Sequence, residues 1–478
     1  MTINHSRNSR QIAERVIIQG DLVLTSPASF GAEDSSSLVD MPLIRDPLEG
    51  RALLTGASIA GALRSYLRER ELGFQEPGNQ NTLESILFGF QIERTVGDSE
   101  DAIGEQSNLI VSDVLAGIPV TEVRDCVAIN LATRTAESGK KYDFNVLKAG
   151  MHFPLRFELL LPSDENKKSQ LTKAIAIALQ GFERGEISLG ARKRRGFGAC
   201  LIQNWKILWY NLLELEGLIN WLTNDDANAR AGQSIGQLLK IDSQSLNMDK
   251  RSRFEATTEC SIEGSLLIRS CSSLAYEPDT IHLHSCRGNI KVPVISGTSL
   301  AGALRARAIR ICNTIGNLMN VERIISDLFG PKINSRDDTP RASRFLTFET
   351  EIKNPIELVQ NRIKIDRFTG GAFSGALFNE QPVFGQSGTT VTIHLAIEKP
   401  SDMEIGLLLL LMKDLWISDL PLGGASSIGR GRLRGQKTII LYQDTKWSII
   451  QNEKGLKIEG TVEDLERYVK KFVEEVSK

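Results

Sequence analysis

No two of the six cysteines stand close enough to form a zinc-ligand or redox pair: they lie at 126, 200, 260, 271, 286 and 312, without a C-x-x-C spacing among them. No signal-like segment precedes them, so a reduced, cytoplasmic protein is expected. Long apolar runs are missing as well. The most conspicuous, Ile405 to Met412, is broken by Gly406 and falls far short of the roughly 20 residues that a membrane span requires. An excess of charge of one sign is also lacking. A formal net charge of −2 excludes a global electrostatic footprint for nucleic acid, so any case for such a ligand rests on local basic clusters.

What the chain does have is a repeated phrase. Leu54-Thr-Gly-Ala-Ser-Ile-Ala-Gly-Ala-Leu-Arg64 returns as Ile295-Ser-Gly-Thr-Ser-Leu-Ala-Gly-Ala-Leu-Arg305, and Leu87-Phe-Gly89 returns at the same spacing as Leu328-Phe-Gly330. A chain of 478 residues exceeds the roughly 100 to 200 of one domain, so the repeat predicts two equivalent units.

Each unit reads as strand, helix, further strands, second helix and a glycine-rich return. In the first, Arg15 to Leu24 alternates as a half-buried strand, Ala57 to Leu67 has helical spacing, Asn108 to Ser112 and Phe153 to Leu161 read as strands, and Gln170 to Gly181 as a helix. In the second, the corresponding segments are Gly264 to Ile268, Gly297 to Arg310, Phe345 to Glu349, Val391 to Ile397 and a Leu-rich helix. The order predicts an α+β fold of two tandem ferredoxin-like units carrying long insertions. Expected boundaries are 1–203 and 254–445 for the units, a partly helical linker over 204–253, and a C-terminal extension over 446–478. Leu465, Val469, Phe472 and Val476 fall on one face of a helix in that extension.

The returns carry the local charge. Leu189-Gly-Ala-Arg-Lys-Arg-Arg-Gly-Phe-Gly198 matches Leu422-Gly-Gly-Ala-Ser-Ser-Ile-Gly-Arg-Gly431, aligning Gly190 with Gly423, Gly196 with Gly429 and Gly198 with Gly431; Gly424 lies beside the first of these pairs. Glycines let a backbone approach closely and expose amides to phosphate oxygens. Arg192, Lys193, Arg194, Arg195 and Arg430 supply cations there. The alternative is a tight helix-to-strand turn with solvated arginines. The helix starts at Gly56 and Ser58, and at Gly297 and Ser299, could likewise take phosphate, with Arg64 and Arg305 nearby, or pack closely on a sheet.

Taken together, the Gly-x-Ser-[Ile/Leu]-x-Gly-x-Leu-Arg helix start, the Leu-Phe-Gly after it and the late glycine-rich loop resemble the RAMP superfamily of CRISPR effector proteins. Val39-Asp-Met-Pro-Leu-Ile-Arg-Asp-Pro47 is similar to the Cas-seven-type backbone subunits of type III (III-D-like) complexes. Ile365-Asp-Arg-Phe-Thr-Gly-Gly-Ala372 and Gly375-Ala-Leu-Phe378 are similar to that family's thumb. The likeness spans both units. It departs from the family at Ala60 and Ala301, where a lysine is common.

The resemblance implies a subunit that stacks along guide crRNA, with thumbs at about 130–146 and 366–384 that splay the guide and target strands. It implies cleavage of single-stranded target RNA by 2′-hydroxyl attack with a divalent metal, Mg2+ or Mn2+. The implied partners are a large Cas-ten-type subunit and further Cas-seven-, Cas-five- and small-subunit-type proteins. The family's catalytic aspartate maps onto Asp40, although Asp34 and Asp46 share its loop and any of the three could make an Asx turn. The second unit lacks the Asp-x-Pro-Leu-Ile-Arg phrase, and Asp279 is the nearest positional substitute. His282 and His284 could act as acid, base or metal ligand, or bond within their loop. Two readings compete with a cutting subunit: a crRNA-binding scaffold without cleavage, and a Cas-six-like nuclease that processes precursor guide RNA.

Overall fold

The structure is a computed structural model that describes residues 12–31, 40–90, 104–271, 277–316, 318–333, 338–453 and 455–477. Asp34 lies outside the described residues. In the first unit, strand Glu14–Leu24 is central. It pairs antiparallel with His152–Leu161 on one side and Cys200–Asn211 on the other, and Leu109–Val111 adds beyond the former. Alternation buries Val16, Ile18, Leu22 and Leu24. At Gly20 the register shifts opposite Trp205. A Cβ there would come 2.8 Å from the indole, so the missing side chain is the space that the ring fills. Helices Gly56–Leu72 and Glu165–Glu183 contribute Ile59, Leu63, Leu67, Ile175, Leu179 and Phe182 to the same core. Burying an apolar side chain of this size contributes about 1.5–3 kcal/mol.

The second unit repeats the plan, with one correction to the sequence reading. Its central strand is Arg253–Glu263, not the apolar stretch from Gly264 to Ile268. This strand pairs with Thr390–Glu398 and with Arg432–Tyr442, and Phe345–Thr347 pairs beyond Thr390–Glu398. Its inward positions are Phe254, Ala256, Thr258, Cys260 and Ile262. Small and polar residues on the buried face blur the alternation, and the Thr258 hydroxyl is satisfied at 2.9 Å by that of Thr438.

Two expected boundaries also shift. Strand Cys200–Asn211 runs past residue 203, so the first unit's sheet reaches into the supposed linker. The C-terminal extension completes the second unit: Thr445–Asn452 and Gly455–Glu459 lengthen its sheet, and helix Val462–Ser477 packs on helix Asp402–Trp416. Gly406, which interrupts the apolar run, marks the crossing, because a Cβ there would lie 2.2 Å from the carbonyl of Tyr468. The buried face of the last helix is Leu465, Tyr468, Phe472 and Val476. Tyr468 thus takes the place expected for Val469.

The linker is partly helical, with Leu215–Leu222 on the surface. It is tied back by Arg70, a fully buried cation that donates to the carbonyls of Met248 and Leu246 at 2.8 and 2.9 Å. Among the described residues no helix is long and apolar enough to cross a membrane.

Each unit projects a hairpin. Thr121–Ile129 pairs with Ala136–Leu147, and Gln360–Ile365 with Ala372–Gln381, so both hairpins begin before the thumb ranges read from sequence. Their tips are built alike. The Asn130 side chain accepts from the amides of Ala132 and Thr133, and that of Asp366 accepts from Phe368 and Thr369. Left-handed backbone follows at Arg134 and Gly370.

The units meet through the first glycine-rich return. Its Gly196 sits against the backbone of Phe348 and Glu349, and Gly297 at the second unit's helix start sits against the Arg195 carbonyl. Arg194 pairs with Glu398 while lying over the Phe74 ring at 5.0 Å. Buried Glu349 receives Arg124 from the first hairpin and Arg287 from the second unit, at 3.2 and 2.9 Å.

Candidate functional site

Asp40 and Asp279, the two aspartates singled out in the sequence, occupy equivalent places. Asp40 precedes a parallel bridge between Met41 and Phe144, and Asp279 precedes a parallel pairing of Thr280 with Glu380. Each is thereby laid against the returning strand of its own unit's hairpin. There it is clasped in both directions. The Asp40 amide donates to Asp143 Oδ1 at 3.1 Å, and the Asp143 amide donates to Asp40 Oδ2 at 2.9 Å. The Asp279 amide donates to Asn379 Oδ1 at 2.8 Å, and the Asn379 amide donates to Asp279 Oδ2 at 3.0 Å.

Both aspartates are exposed. Asp46, by contrast, spends its carboxylate on the Leu48 and Glu49 amides at 3.2 and 2.7 Å, an Asx turn that stiffens the loop behind Asp40. Asp143 and Asn379 escaped the sequence reading. The signal was present: they stand as far apart as Asn130 and Asp366, so extending the repeat into the hairpins would have paired them.

His282 and His284 do not converge with Asp279 as a ligand set. His282 is buried, accepts from the Ile268 amide at Nδ1 and donates to the Val294 carbonyl from Nε2. Burial and the neighbouring His284 hold its pKa down at about 4. His284 donates from Nδ1 to the His282 carbonyl and from Nε2 to Glu357. Burial opposes its charge, but those two bonds outweigh it and raise the pKa. The pair therefore sets a ring whose burial favours the neutral form beside one whose bonds favour the protonated form. Among the described residues no three His, Cys, Asp or Glu side chains converge as a metal site.

The glycine-rich returns share one conformation. Arg192 and Ala425 are left-handed, three-residue 3-10 turns follow at Lys193–Arg195 and Ser426–Ile428, and left-handed Gly196 and Gly429 close them. Gly198 and Gly431 are demanded by the fold, since a Cβ would lie 1.8 Å from the Leu189 carbonyl in one and 2.0 Å from that of Leu422 in the other. Gly190 and Gly423 are likewise crowded by the Ser29 and Leu267 carbonyls, and Gly424 faces the Arg269 side chain at 3.2 Å.

The helix starts are occupied too. The Gly56 amide donates to Asp113 Oδ1 at 2.7 Å, and Ser58 and Ser299 donate their amides to the cap hydroxyls of Thr55 and Ser296. These bonds take the Gly56, Ser58 and Ser299 amides within the fold.

The basic residues divide sharply. Arg64 pairs with Glu84 at 2.6 Å. Arg192 lies 4.1 Å over the Phe144 ring and donates to the Tyr142 hydroxyl. Arg430 is buried and bonds Glu380 and Gln360. Arg195 and Arg305 have no acidic partner among the described residues. Burial, then the charge of Arg305, holds the Arg195 pKa down, and burial does the same to Arg305. Lys193 is also lowered, by burial and by Arg194. A half-buried guanidinium pressed by a second one, with no acidic partner for either among the described residues, makes a place that an anion would relieve.

Two matched regions complete the picture. The sequence model of the RAMP superfamily fits residues 21–200 and 287–434. The chain belongs to the RAMP superfamily. Each match falls within one unit, so this is a RAMP protein with the family's pattern twice in one polypeptide. A similarity at 24% identity over 208 residues links it to the CRISPR system Cms endoribonuclease Csm3 of Mycobacterium tuberculosis (strain ATCC 25618 / H37Rv), covering 40% of this chain and 88% of that protein. The RAMP protein has an α+β architecture, with both clasps at the roots of its hairpins and Arg195 and Arg305 at the seam between its units.

Proposed function

We propose that this RAMP protein is a backbone subunit of a type III CRISPR ribonucleoprotein that holds guide crRNA and cleaves complementary target RNA at two positions. The observation that carries the reading is the duplicated clasp: Asp40, onto which the resemblance maps the family's catalytic aspartate, is pinned exposed at the root of the first hairpin, and Asp279, its positional substitute, is pinned in the same way at the second. Relatedness to an endoribonuclease of a CRISPR system supports it. The seam arginines, Arg195 and Arg305, support a polyanionic ligand. We further infer a ferredoxin-like fold in each unit, supported by sheets ordered fourth-first-third-second. The proposed setting is cytoplasmic, with target RNA and further type III subunits as partners.

Cleavage would proceed by attack of a ribose 2′-oxygen on the adjacent phosphorus. The 2′-O–P bond forms as the P–O5′ bond breaks, leaving a 2′,3′-cyclic phosphate and a 5′-oxygen that takes a proton from water to become a hydroxyl. Asp40 Oδ2 is committed to the Asp143 amide, so Oδ1 is the atom available to accept the 2′-proton. A nucleophile held in line beside its phosphate is already near its target, and positioning supplies much of the acceleration.

The same Oδ1 of Asp40, and that of Asp279, is a hard donor that would hold Mg2+ or Mn2+ in place of taking the proton. Such an ion would stabilise charge on the phosphate oxygens. Asp279 has no second carboxylate opposite it, because Asn379 stands there.

The test is a map of cleavage positions in the assembled complex, with Asp40→Ala and Asp279→Ala made separately. Each should remove one product and leave the other. Unchanged products in both variants would refute the assignment.

A further inference from the structure

Resting on the reading of Asp40 and Asp279 as the cutting residues, we infer that Asp143 and Asn379 are positioning residues, and that each acts through a side-chain oxygen acceptor and not through charge. The two clasps are chemically the same although their residues differ. In both, an Oδ1 accepts the amide of the loop aspartate, and the backbone amide of the clasping residue holds that aspartate's Oδ2. A carboxylate side chain does this in the first unit and an amide side chain in the second. Charge at this position is therefore dispensable to the geometry. An acceptor is not, because with it gone the loop aspartate's amide loses its partner and one of the two bonds of the clasp disappears.

The clasping residues are themselves anchored from the glycine-rich returns. Phe144, next to Asp143, lies beneath Arg192 at 4.1 Å and packs edge-on against Phe197 at 5.6 Å. Glu380, next to Asn379, is buried and receives Arg430 at 2.8 Å and Arg362 at 2.7 Å. The first unit uses a cation over a ring and the second an ion pair, and both fix the same point of the returning strand. This assigns work to Arg192 and Arg430 that neither the turn nor solvation requires. Each return braces the hairpin root, the hairpin root holds the clasp, and the clasp orients the aspartate. A carboxylate displaced by about 1 Å from its productive place costs roughly 100-fold in rate, which sets the scale of the expected effect.

The experiment uses the assembled complex with the full chain, single-turnover cleavage read at each position and target affinity measured in parallel. Asp143→Ala should slow the Asp40-dependent cut by roughly 30- to 100-fold without changing target affinity. Asp143→Asn should stay within about threefold of the parent, since the second unit already works with an amide. Asn379→Ala and Asn379→Asp should behave in the same two ways at the Asp279-dependent cut. Hydrogen exchange over residues 40–48 of the isolated chain gives a readout independent of assembly: it should quicken in Asp143→Ala and remain at the parent rate in Asp143→Asn. Full-rate cleavage by Asp143→Ala overturns the inference, as does Asp143→Asn failing as badly as Asp143→Ala, which would mean that charge is what matters. Asp40→Ala run alongside separates the two levels. If it abolishes its cut while Asp143→Ala does not slow it, only the positioning role falls; if Asp40→Ala itself cuts normally, the parent reading falls and takes the positioning role with it.

Discussion

Gly196 and Gly429 are equivalent residues with the same left-handed backbone, φ 81 and 89, in different surroundings. A Cβ on Gly196 would lie 2.6 Å from the Glu349 amide nitrogen and 2.7 Å from the Phe348 Cα, both backbone atoms of the second unit, while one on Gly429 would meet nothing within 4 Å. Alanine at 429 should therefore incur only the strain of a left-handed non-glycine residue, about 1–2 kcal/mol. Alanine at 196 incurs that strain plus overpacking against a backbone that cannot rotate aside, about 1–3 kcal/mol more.

At the scale of these units, 1 kcal/mol shifts a melting midpoint by about 2–4 °C. The Gly196→Ala protein should thus melt roughly 2–12 °C below Gly429→Ala, with the loss concentrated at the seam. The assay is thermal denaturation of the full chain with limited proteolysis of the 212–252 connector, which should become easier to cut in Gly196→Ala alone. Equal destabilisation by the two substitutions would refute the claim that the first return, and not the second, is wedged between units.

Further outcomes follow from the same geometry. Binding of single-stranded RNA should weaken with salt, and Arg195→Ala or Arg305→Ala should each reduce the slope of log affinity against log salt by about 0.7. Arg430→Ala should lower the melting temperature and leave that slope alone, because its guanidinium is buried on Glu380; an unchanged slope in all three variants would dismiss the seam as a phosphate contact. Stability should fall on acidification from about pH 6.5 to 4, measured as the urea midpoint. His282 is neutral in the fold with its pKa depressed to about 4, so its contribution is present above the unfolded value and lost as the unfolded chain takes up the proton first, at most about 3 kcal/mol. His284 works in the opposite sense: its raised pKa contributes below the unfolded value and is lost as pH rises through the folded one. His284→Gln should consequently flatten the decline of stability above about pH 6.5.

The two halves have diverged where they meet other surfaces and agreed where backbone geometry is at stake. Arg194 and Arg195 of the first return face the second unit, and their counterparts Ser427 and Ile428 carry no charge. Ile428 is half exposed. A turn that must seal a seam needs side chains that reach across it, whereas a free turn does not.

Local and periodic information was readable directly. The duplicated helix starts, the alternation of Glu14–Leu24 and the glycine-rich returns state their backbone requirements in a few consecutive residues, because torsion preferences and side-chain periodicity act at short range. What the sequence concealed was every relation across distance. Arg253–Glu263 reads as weakly apolar alone and becomes the centre of a sheet only when two neighbours cover it.

Asp40 and Asp143 are 103 residues apart, Asp279 and Asn379 are 100 apart, and nothing local couples them; the parallel register at the hairpin roots does. The same holds for charge. Six arginines in and around the returns and helix starts looked alike in sequence, yet packing assigned Arg64, Arg192, Arg194 and Arg430 to carboxylates and rings and left Arg195 and Arg305 without an acidic partner among the described residues. Sequence alone determined that there are two units and which residue types each offers. The tertiary structure decided which of those residues are consumed by the fold and which remain to meet a ligand, because burial and pairing belong to neighbours in space and not to neighbours in the chain.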